Sequence, residues 1–222
     1  MWGRPARLAR PWARRQIVAM DHKNKASATA SGAAKPTRQD QAGANFEHRQ
    51  PDGDSRSRLV CRDCGYIQYD NPKVVVGSVA RWGKRMLLCR RAINPRKGFW
   101  TLPAGYMELN ETSIEGALRE AREEACAAIE IERLLAVYNI PRLSQVQLIY
   151  AARLTTGDVA VGPESSEVAL LDWAEIPWDE LAFPSVRWAL SQYRGGLDGE
   201  GLMRADYPVQ ANPPGECGDF ER

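Results

Sequence analysis

Gly105-Tyr-Met-Glu-Leu-Asn-Glu111-Thr-Ser-Ile-Glu-Gly-Ala-Leu-Arg119-Glu120-Ala-Arg-Glu123-Glu124 decides how this 222-residue chain is read. A Leu102-Pro-Ala-Gly105 turn runs into it, and the pattern after Thr112 predicts a helix over 112–126. Thr112 is the expected N-cap, with Glu115 three residues on completing a capping box. Glu120, Glu123 and Glu124 then stand at i, i+3 and i+4, on one helix face. Like charges at that spacing cost a helix about 0.2–0.5 kcal/mol per pair, so a cation is expected beside them. Oxygen ligands with no histidine nearby suit Mg²⁺ or Mn²⁺, and such ions act on phosphate oxygens. The bland alternative is an exposed, salt-bridge-laced acidic helix. The preceding turn and Glu111 argue against it.

Working outward, 74–82 and 85–91 are apolar, β-branched runs that predict a hairpin turning at Gly83-Lys84. Strands are also expected over 134–140, 145–154 and 168–173, and a last helix over 185–193 opened by Pro184. Strands interleaved with two helices predict an α/β fold.

The spacing of Gly105, Glu111 and Arg119-Glu120-Ala121-Arg122-Glu123-Glu124 resembles the Nudix box. Cys126 replaces the box's closing glycine, and Ala127 stands where a larger aliphatic residue is usual. A left-handed cysteine there would cost about 1 kcal/mol, so lower stability or a shifted helix end is expected, not loss of metal. Asp70-Asn-Pro-Lys-Val-Val-Val-Gly77, Leu87-Leu-Cys-Arg-Arg91, Phe99-Trp-Thr-Leu-Pro-Ala-Gly105, Gly162-Pro-Glu-Ser165 and Glu175-Ile-Pro-Trp-Asp-Glu-Leu-Ala-Phe-Pro184 are similar to one branch of that family. That branch carries a small zinc ribbon ahead of the Nudix domain and includes enzymes acting on ADP-ribose or FAD. The likeness covers 47–194, and more weakly reaches back to 39.

The resemblance implies an α/β/α sandwich around a mixed sheet. It implies that Glu120, Glu123 and Glu124 ligate the metal together with the carbonyl of Ala104. Arg119 would pair with Glu111 and hold loop against helix, and Gly105 would let the turn approach the helix. The catalytic base stays open. Glu164 and Glu167, placed in a loop between the last two strands, are its candidates, against a plain solvated loop. Arg90, Arg91 and Arg142 are candidate phosphate contacts, against exposed charges. Phe99, Trp100, Tyr106 and Tyr138 would stack on a base or fill the core.

Cys61-Arg-Asp-Cys64-Gly65 has the spacing of half a zinc site. In the branch the chain resembles, a first CxxCG lies upstream of a Pro-x-Gly-Asp segment. Counted back from Pro51-Asp-Gly-Asp54, that resemblance puts the other two ligand positions on Gln39 and Ala42, and neither His22 nor His48 stands at ribbon spacing. Bound zinc is therefore not expected, and 46–70 reads as a remnant packing loosely or not at all. A redox pair at Cys61 and Cys64 is the lesser alternative.

The length allows one ordinary domain plus tails. The expected division is a disordered basic tail over 1–45, the ribbon remnant over 46–70, the Nudix domain over 71–195 and a flexible tail over 196–222. A net charge of +2 gives no argument for nucleic acid, and no apolar run long enough for a membrane span is present. Five cysteines without regular spacing favour a reducing compartment. The cytoplasm is the expected location. The arginine-rich start reads as residues upstream of a true start at Met20, with an organelle-targeting peptide as the alternative. The partner is a nucleotide-type small molecule, and a homodimer is left open. The expected activity is Mg²⁺-dependent cleavage of the pyrophosphate in a nucleoside diphosphate linked to another moiety, of the ADP-ribose, FAD or NADH type. A non-catalytic nucleotide- or protein-binding module and a nucleoside triphosphate-sanitising enzyme are the alternatives.

Overall fold

The computed structural model describes residues 17–19, 45–198, 203–204 and 208–213. In chain order the strands and helices are β1 (Ile17–Ala19), β2 (Phe46–Arg49), β3 (Arg58–Cys61), β4 (Ile67–Gln68), β5 (Lys73–Trp82), β6 (Arg85–Arg91), β7 (Trp100–Thr101), β8 (Ala104–Tyr106), α1 (Ser113–Ala125), β9 (Ile129–Ile140), β10 (Gln145–Leu154), β11 (Ser165–Leu171) and α2 (Pro184–Gly195). They fall into two compact units, Met1–Met20 with Lys73–Arg222, and Asp21–Pro72.

The larger unit is built on a mixed sheet of order β1-β11-β6-β5-β10-β9, with β7 added to β6 and β8 to β5. β5 and β10 run parallel, from Lys73 opposite Gln145 to Arg81 opposite Arg153. The other pairings are antiparallel. Successive residues of a strand point to opposite faces, and the central strands are apolar on both. Leu87, Cys89, Val168 and Leu170 meet Ala121 and Ala125 of α1. Leu88, Ala169 and Leu171, one residue out of phase, meet Val186, Ala189, Leu190 and Tyr193 of α2. This is the α/β/α sandwich expected. The alanine stripe brings α1 close to the sheet, which carries the box carboxylates down onto β8. No described helix is long and apolar enough to cross a membrane.

Several boundaries differ from the sequence expectation. Ile17–Ala19 pairs with β11, Ile17 opposite Ala169, so these three residues of the stretch expected to be disordered form an edge strand. The rest of 1–44 lies outside the described residues, including the stretch around Met20. β9 begins five residues before its expected start, at Ile129. β11 covers Ser165–Leu171, and Trp173 belongs to a short helical turn after it. The tail after Gly195 is in part bound. Val137 donates to the Gln210 carbonyl at 2.9 Å and Gln210 donates to the Leu135 carbonyl at 3.0 Å. The Asn212 side chain accepts from Asn139 N–H at 2.8 Å and donates to its carbonyl at 2.7 Å. An edge strand offers unpaired backbone groups, and this segment satisfies those of β9.

The smaller unit is a three-stranded antiparallel sheet of β2, β3 and β4. Val60 at its centre is fully buried. Asp54 pairs with Arg58 at 2.9 Å, and Arg58 lies over the Tyr69 ring. Packing of this kind corrects the expectation of a loose remnant for 46–70.

Candidate active site

α1 starts where the sequence placed it. Thr112 Oγ1 accepts from Glu115 N–H at 3.2 Å, and Glu115 Oε2 accepts from Thr112 N–H at 2.7 Å, which closes the capping box. The helix ends at Cys126, whose φ of 49° and ψ of 27° are left-handed. Its N–H donates to the Arg122 carbonyl at 3.0 Å. Cysteine thus occupies the strained conformation that glycine takes more readily.

Glu120, Glu123 and Glu124 share the helix face expected for them but divide by depth. Glu120 and Glu124 are buried on the stripe shared with Ala117 and Ala121, whereas Glu123 is turned to solvent. Burial, followed by the charge of Glu120, pushes the Glu124 carboxyl up to about 8. Burial also raises Glu120, and Arg119 opposes that rise. Glu124 Oε2 accepts from Ala104 N–H at 3.2 Å, which brings the β8 backbone to the helix. A Cβ on Gly105 would lie 2.4 Å from Glu120 Oε1, so any other residue would push the Glu120 carboxylate from this position.

Arg119 is the hub. Its Nε and Nη2 grip both oxygens of Glu111, at 3.0 and 2.8 Å. Nη2 also donates to the Tyr106 carbonyl at 3.0 Å. Nη1 bridges Glu120 at 2.7 Å and Glu123 at 3.0 Å. The guanidinium, with the Glu108 N–H at 2.7 Å, holds Glu111 down at about 2. The implied Arg119–Glu111 pair is present, with two further carboxylates that sequence reading did not assign to Arg119.

Among the described residues no three acidic, histidine or cysteine side chains converge as a ready cation cage. Arg119 is paired with Glu120 and Glu123 instead. Glu124, buried beside Glu120, has no ion pair of its own among the described residues, and burial, followed by the charge of Glu120, raises its carboxyl. An all-oxygen donor set of this kind fits a hard divalent cation. Glu120, Glu123 and Glu124 would hold it once Arg119 Nη1 yields.

The loop before β11 is fastened to the end of α1. Ala160 N–H donates to the Ala125 carbonyl at 2.9 Å, and Gly162 N–H to that of Glu124 at 3.2 Å. A Cβ on Gly162 would fall 1.7 Å from the Glu123 carbonyl oxygen. A turn follows, with Ser165 N–H donating to the Gly162 carbonyl at 3.1 Å, while the Glu164 carbonyl accepts from Ala92 at 2.8 Å. Glu164 is exposed at this turn, and its charge helps to raise both Glu120 and Glu124. Glu167 is not in the loop. It belongs to β11 and pairs with Arg90 at 3.3 Å. Arg90 is further held by Gly98 and Glu180, so both are committed to each other and to the scaffold.

Arg91 donates to the Pro95 carbonyl at 2.8 Å, lies over Phe183, and its charge bears on Glu124. Arg142 is exposed in the turn Pro141–Leu143 and makes no ion pair among the described residues, so the structure does not gather it with the carboxylates. Of the aromatic candidates, Tyr138 is core, fully buried and edge-on to Trp188, and Trp100 is buried too. Phe99 is half-buried under Arg96. Tyr106 is exposed, its hydroxyl accepts from Gln145 at 3.1 Å, and Lys73 lies over its ring.

A sheet thus lies between two helices, one of them pressing buried carboxylates against a glycine turn. The chain belongs to the Nudix family: the NUDIX domain pattern matches residues 71–192, and the pattern described as Nudix N-terminal matches 41–70. It is similar to an ADP-ribose pyrophosphatase of Methanocaldococcus jannaschii, 30% identical over 122 residues, which are 53% of this chain and 71% of that protein. It is also similar to the 8-oxo-dGDP phosphatase NUDT18 of Homo sapiens, 38% identical over 85 residues, 38% of this chain and 26% of that one. The crystal structure of a NUDIX hydrolase from Nitrosomonas europaea superposes with a TM-score of 0.66 at 47% identity, covering 69% of this chain and 87% of that one.

Proposed function

We propose that this hydrolase uses Mg²⁺ or Mn²⁺ to cleave the pyrophosphate of a nucleoside diphosphate joined to a second moiety, of the ADP-ribose, FAD or NADH type. The buried Glu120–Glu124 pair behind Gly105 carries the chemistry. The likeness to the archaeal ADP-ribose pyrophosphatase supports the substrate class.

Glu120, Glu123 and Glu124 would hold the cation together with the carbonyl of Ala104, whose N–H donates to Glu124. The bound cation would neutralise charge on the diphosphate oxygens. Arg119, through Glu111 and the Tyr106 carbonyl, keeps the β8 turn registered on the helix. Glu164 is the candidate base, because Glu167 is tied to Arg90 while Glu164 stands exposed near the acidic pair. Its carboxylate would take a proton from the attacking water. Arg91 is the candidate phosphate contact, having no carboxylate bound among the described residues.

A nucleoside di- or triphosphate is the second reading, favoured by the likeness to the 8-oxo-dGDP phosphatase. A panel of ADP-ribose, FAD, NADH, nucleoside triphosphates and 8-oxo-dGDP with Mg²⁺, assayed for released monophosphate, phosphate and pyrophosphate, separates the two. Dinucleotide-type substrates should show the highest kcat/KM. Preference for the free nucleotides would refute the first reading.

A further inference from the structure

The smaller unit holds a second chemically distinctive cluster. β3 ends at Cys61, and Arg62-Asp63-Cys64-Gly65 fold back upon it. Gly65, left-handed at φ 75°, donates to the Cys61 carbonyl at 2.9 Å, and Cys61 N–H donates to that of Tyr66 at 2.8 Å. Asn45 braces the turn from outside. Its carbonyl accepts from Arg62 N–H at 2.7 Å, and its side chain donates to Asp63 at 2.5 Å. Both thiols are free, with Cys61 half-buried and Cys64 exposed.

The turn aims hydrogen-bond donors at one sulfur. The N–H groups of Cys64 and Asp63 and the thiol of Cys64 approach Cys61 Sγ and hold its thiol below the ordinary range. A thiol so placed has a larger thiolate share at neutral pH, and the thiolate is the nucleophile. Two thiolates do not close a tetrahedral zinc site, Gln39 and Ala42 carry no thiol, and no third ligand stands by among the described residues.

We propose that Cys61 and Cys64 are a redox-responsive dithiol that closes to an intrachain disulfide by exchange with low-molecular-weight disulfides. The Cys61 thiolate attacks one sulfur of R–S–S–R. A Cys61–S–S–R bond forms, the original S–S bond breaks, and RS⁻ leaves to take a proton from water. The Cys64 thiol gives its proton to water, and its sulfur attacks Cys61 Sγ and expels the second RS⁻. The chain loses two thiol protons and two electrons, and one external disulfide takes them up to become two thiols. The other described cysteines have no such partner. Cys89 is buried with its thiol pushed well up, and Cys126 lies in the other unit at the end of α1.

The test uses the full reduced chain, purified with and without a metal chelator and incubated with oxidised glutathione. Remaining thiols are alkylated and peptides are weighed. The peptide carrying Cys61 and Cys64 should lose two hydrogens, resist alkylation and recover with dithiothreitol. In Cys64→Ser, glutathione should accumulate on Cys61, while Cys61→Ser should react more slowly. Circular dichroism confirms that each variant is folded, and Cys64→Ala replaces any serine variant that is not. Full alkylation of both thiols after oxidation overturns the proposal, as does a stable glutathione adduct in the wild type. One zinc per chain that protects both sulfurs overturns it equally.

Discussion

Glu124→Gln should separate the stability of this protein from its chemistry. In the metal-free fold the Glu124 carboxyl is raised to about 8 from an ordinary 4.5, chiefly by burial. The folded state therefore binds a proton that the unfolded chain releases between those values. Its contribution is fully present below about pH 4.5 and is lost as pH rises toward 8. A shift of that size corresponds to about 5 kcal/mol over the whole window, of which about 4 kcal/mol falls between pH 5 and pH 8. Glutamine keeps the shape and can still accept from Ala104 N–H, but it carries no charge. Metal-free wild type should therefore lose melting temperature relative to the variant between pH 5 and pH 8, by about 10 °C for a domain of this size. Mg²⁺ should invert the order. Wild type gains stability with Mg²⁺, more so at high pH where no proton has to be displaced, and the variant gains little. Thermal melts at several pH values, with chelator and with excess Mg²⁺, measure all four conditions. Parallel pH profiles for the two metal-free proteins would refute the buried-acid argument. A Mg²⁺ response unchanged in the variant would refute the ligand assignment.

The remaining predictions use the same structure. Cys126→Gly should raise stability by about 1 kcal/mol, seen as a melting shift of about 3 °C with turnover unchanged, because glycine takes φ 49° without the Cβ penalty. Gly162→Ala must move the loop off the Glu123 carbonyl oxygen, 1.7 Å from the added atom. It should cost about 1–3 kcal/mol and lower kcat about 10- to 100-fold by displacing Glu164, with KM changed less. Arg119→Ala frees the Glu111, Glu120 and Glu123 carboxylates from their shared cation. It should lower the melting temperature by about 5 °C or more and weaken turnover at subsaturating Mg²⁺ most. Glu164→Gln should lower kcat by at least about 100-fold while Mg²⁺-induced stabilisation persists, whereas Glu167→Gln should mainly cost stability.

What the sequence disclosed was local. The capping box, the helix and its left-handed end at Cys126 depend on neighbours within a turn, and each stands where the residue pattern placed it. The β5–β6 hairpin is local as well. Contacts distant in sequence were not legible. Gly162 looks like an ordinary loop glycine until its approach to Glu123 is seen. Glu164 and Glu167 read alike in the sequence, but an irregular register between Ser165 and Glu167 puts one at the turn and the other opposite Arg90. Tyr138 and Tyr106 have the same chemistry, yet the strand register buries one against Trp188 and leaves the other at the rim. The spacing of three glutamates suggested one face. Arg119 Nη1 reaches Glu120 and Glu123 on that face, but the alanine stripe draws in Glu120 and Glu124 and leaves Glu123 exposed, a difference of depth that the spacing does not disclose. The tail segment on β9 carries no periodic signal, because its attachment runs through backbone groups and Asn212.

Arg119 explains how a fold can keep such a site before any cation arrives. Two carboxyls buried four residues apart on a helix would oppose folding if both were ionised. Here one is bonded to a guanidinium and the other takes up a proton more readily than an ordinary carboxyl. The guanidinium cannot also satisfy Glu124, because its other nitrogens are fixed on Glu111 and the Tyr106 carbonyl. That fixation keeps the β8 turn and α1 in register, so the neutralising charge is anchored on one side and replaceable on the other. On the proposed ligand set, a divalent cation entering between Glu120, Glu123 and Glu124 would compete only for Nη1. The loop–helix clamp through Nε and Nη2 can persist while the acidic side of the site exchanges an internal cation for an external one.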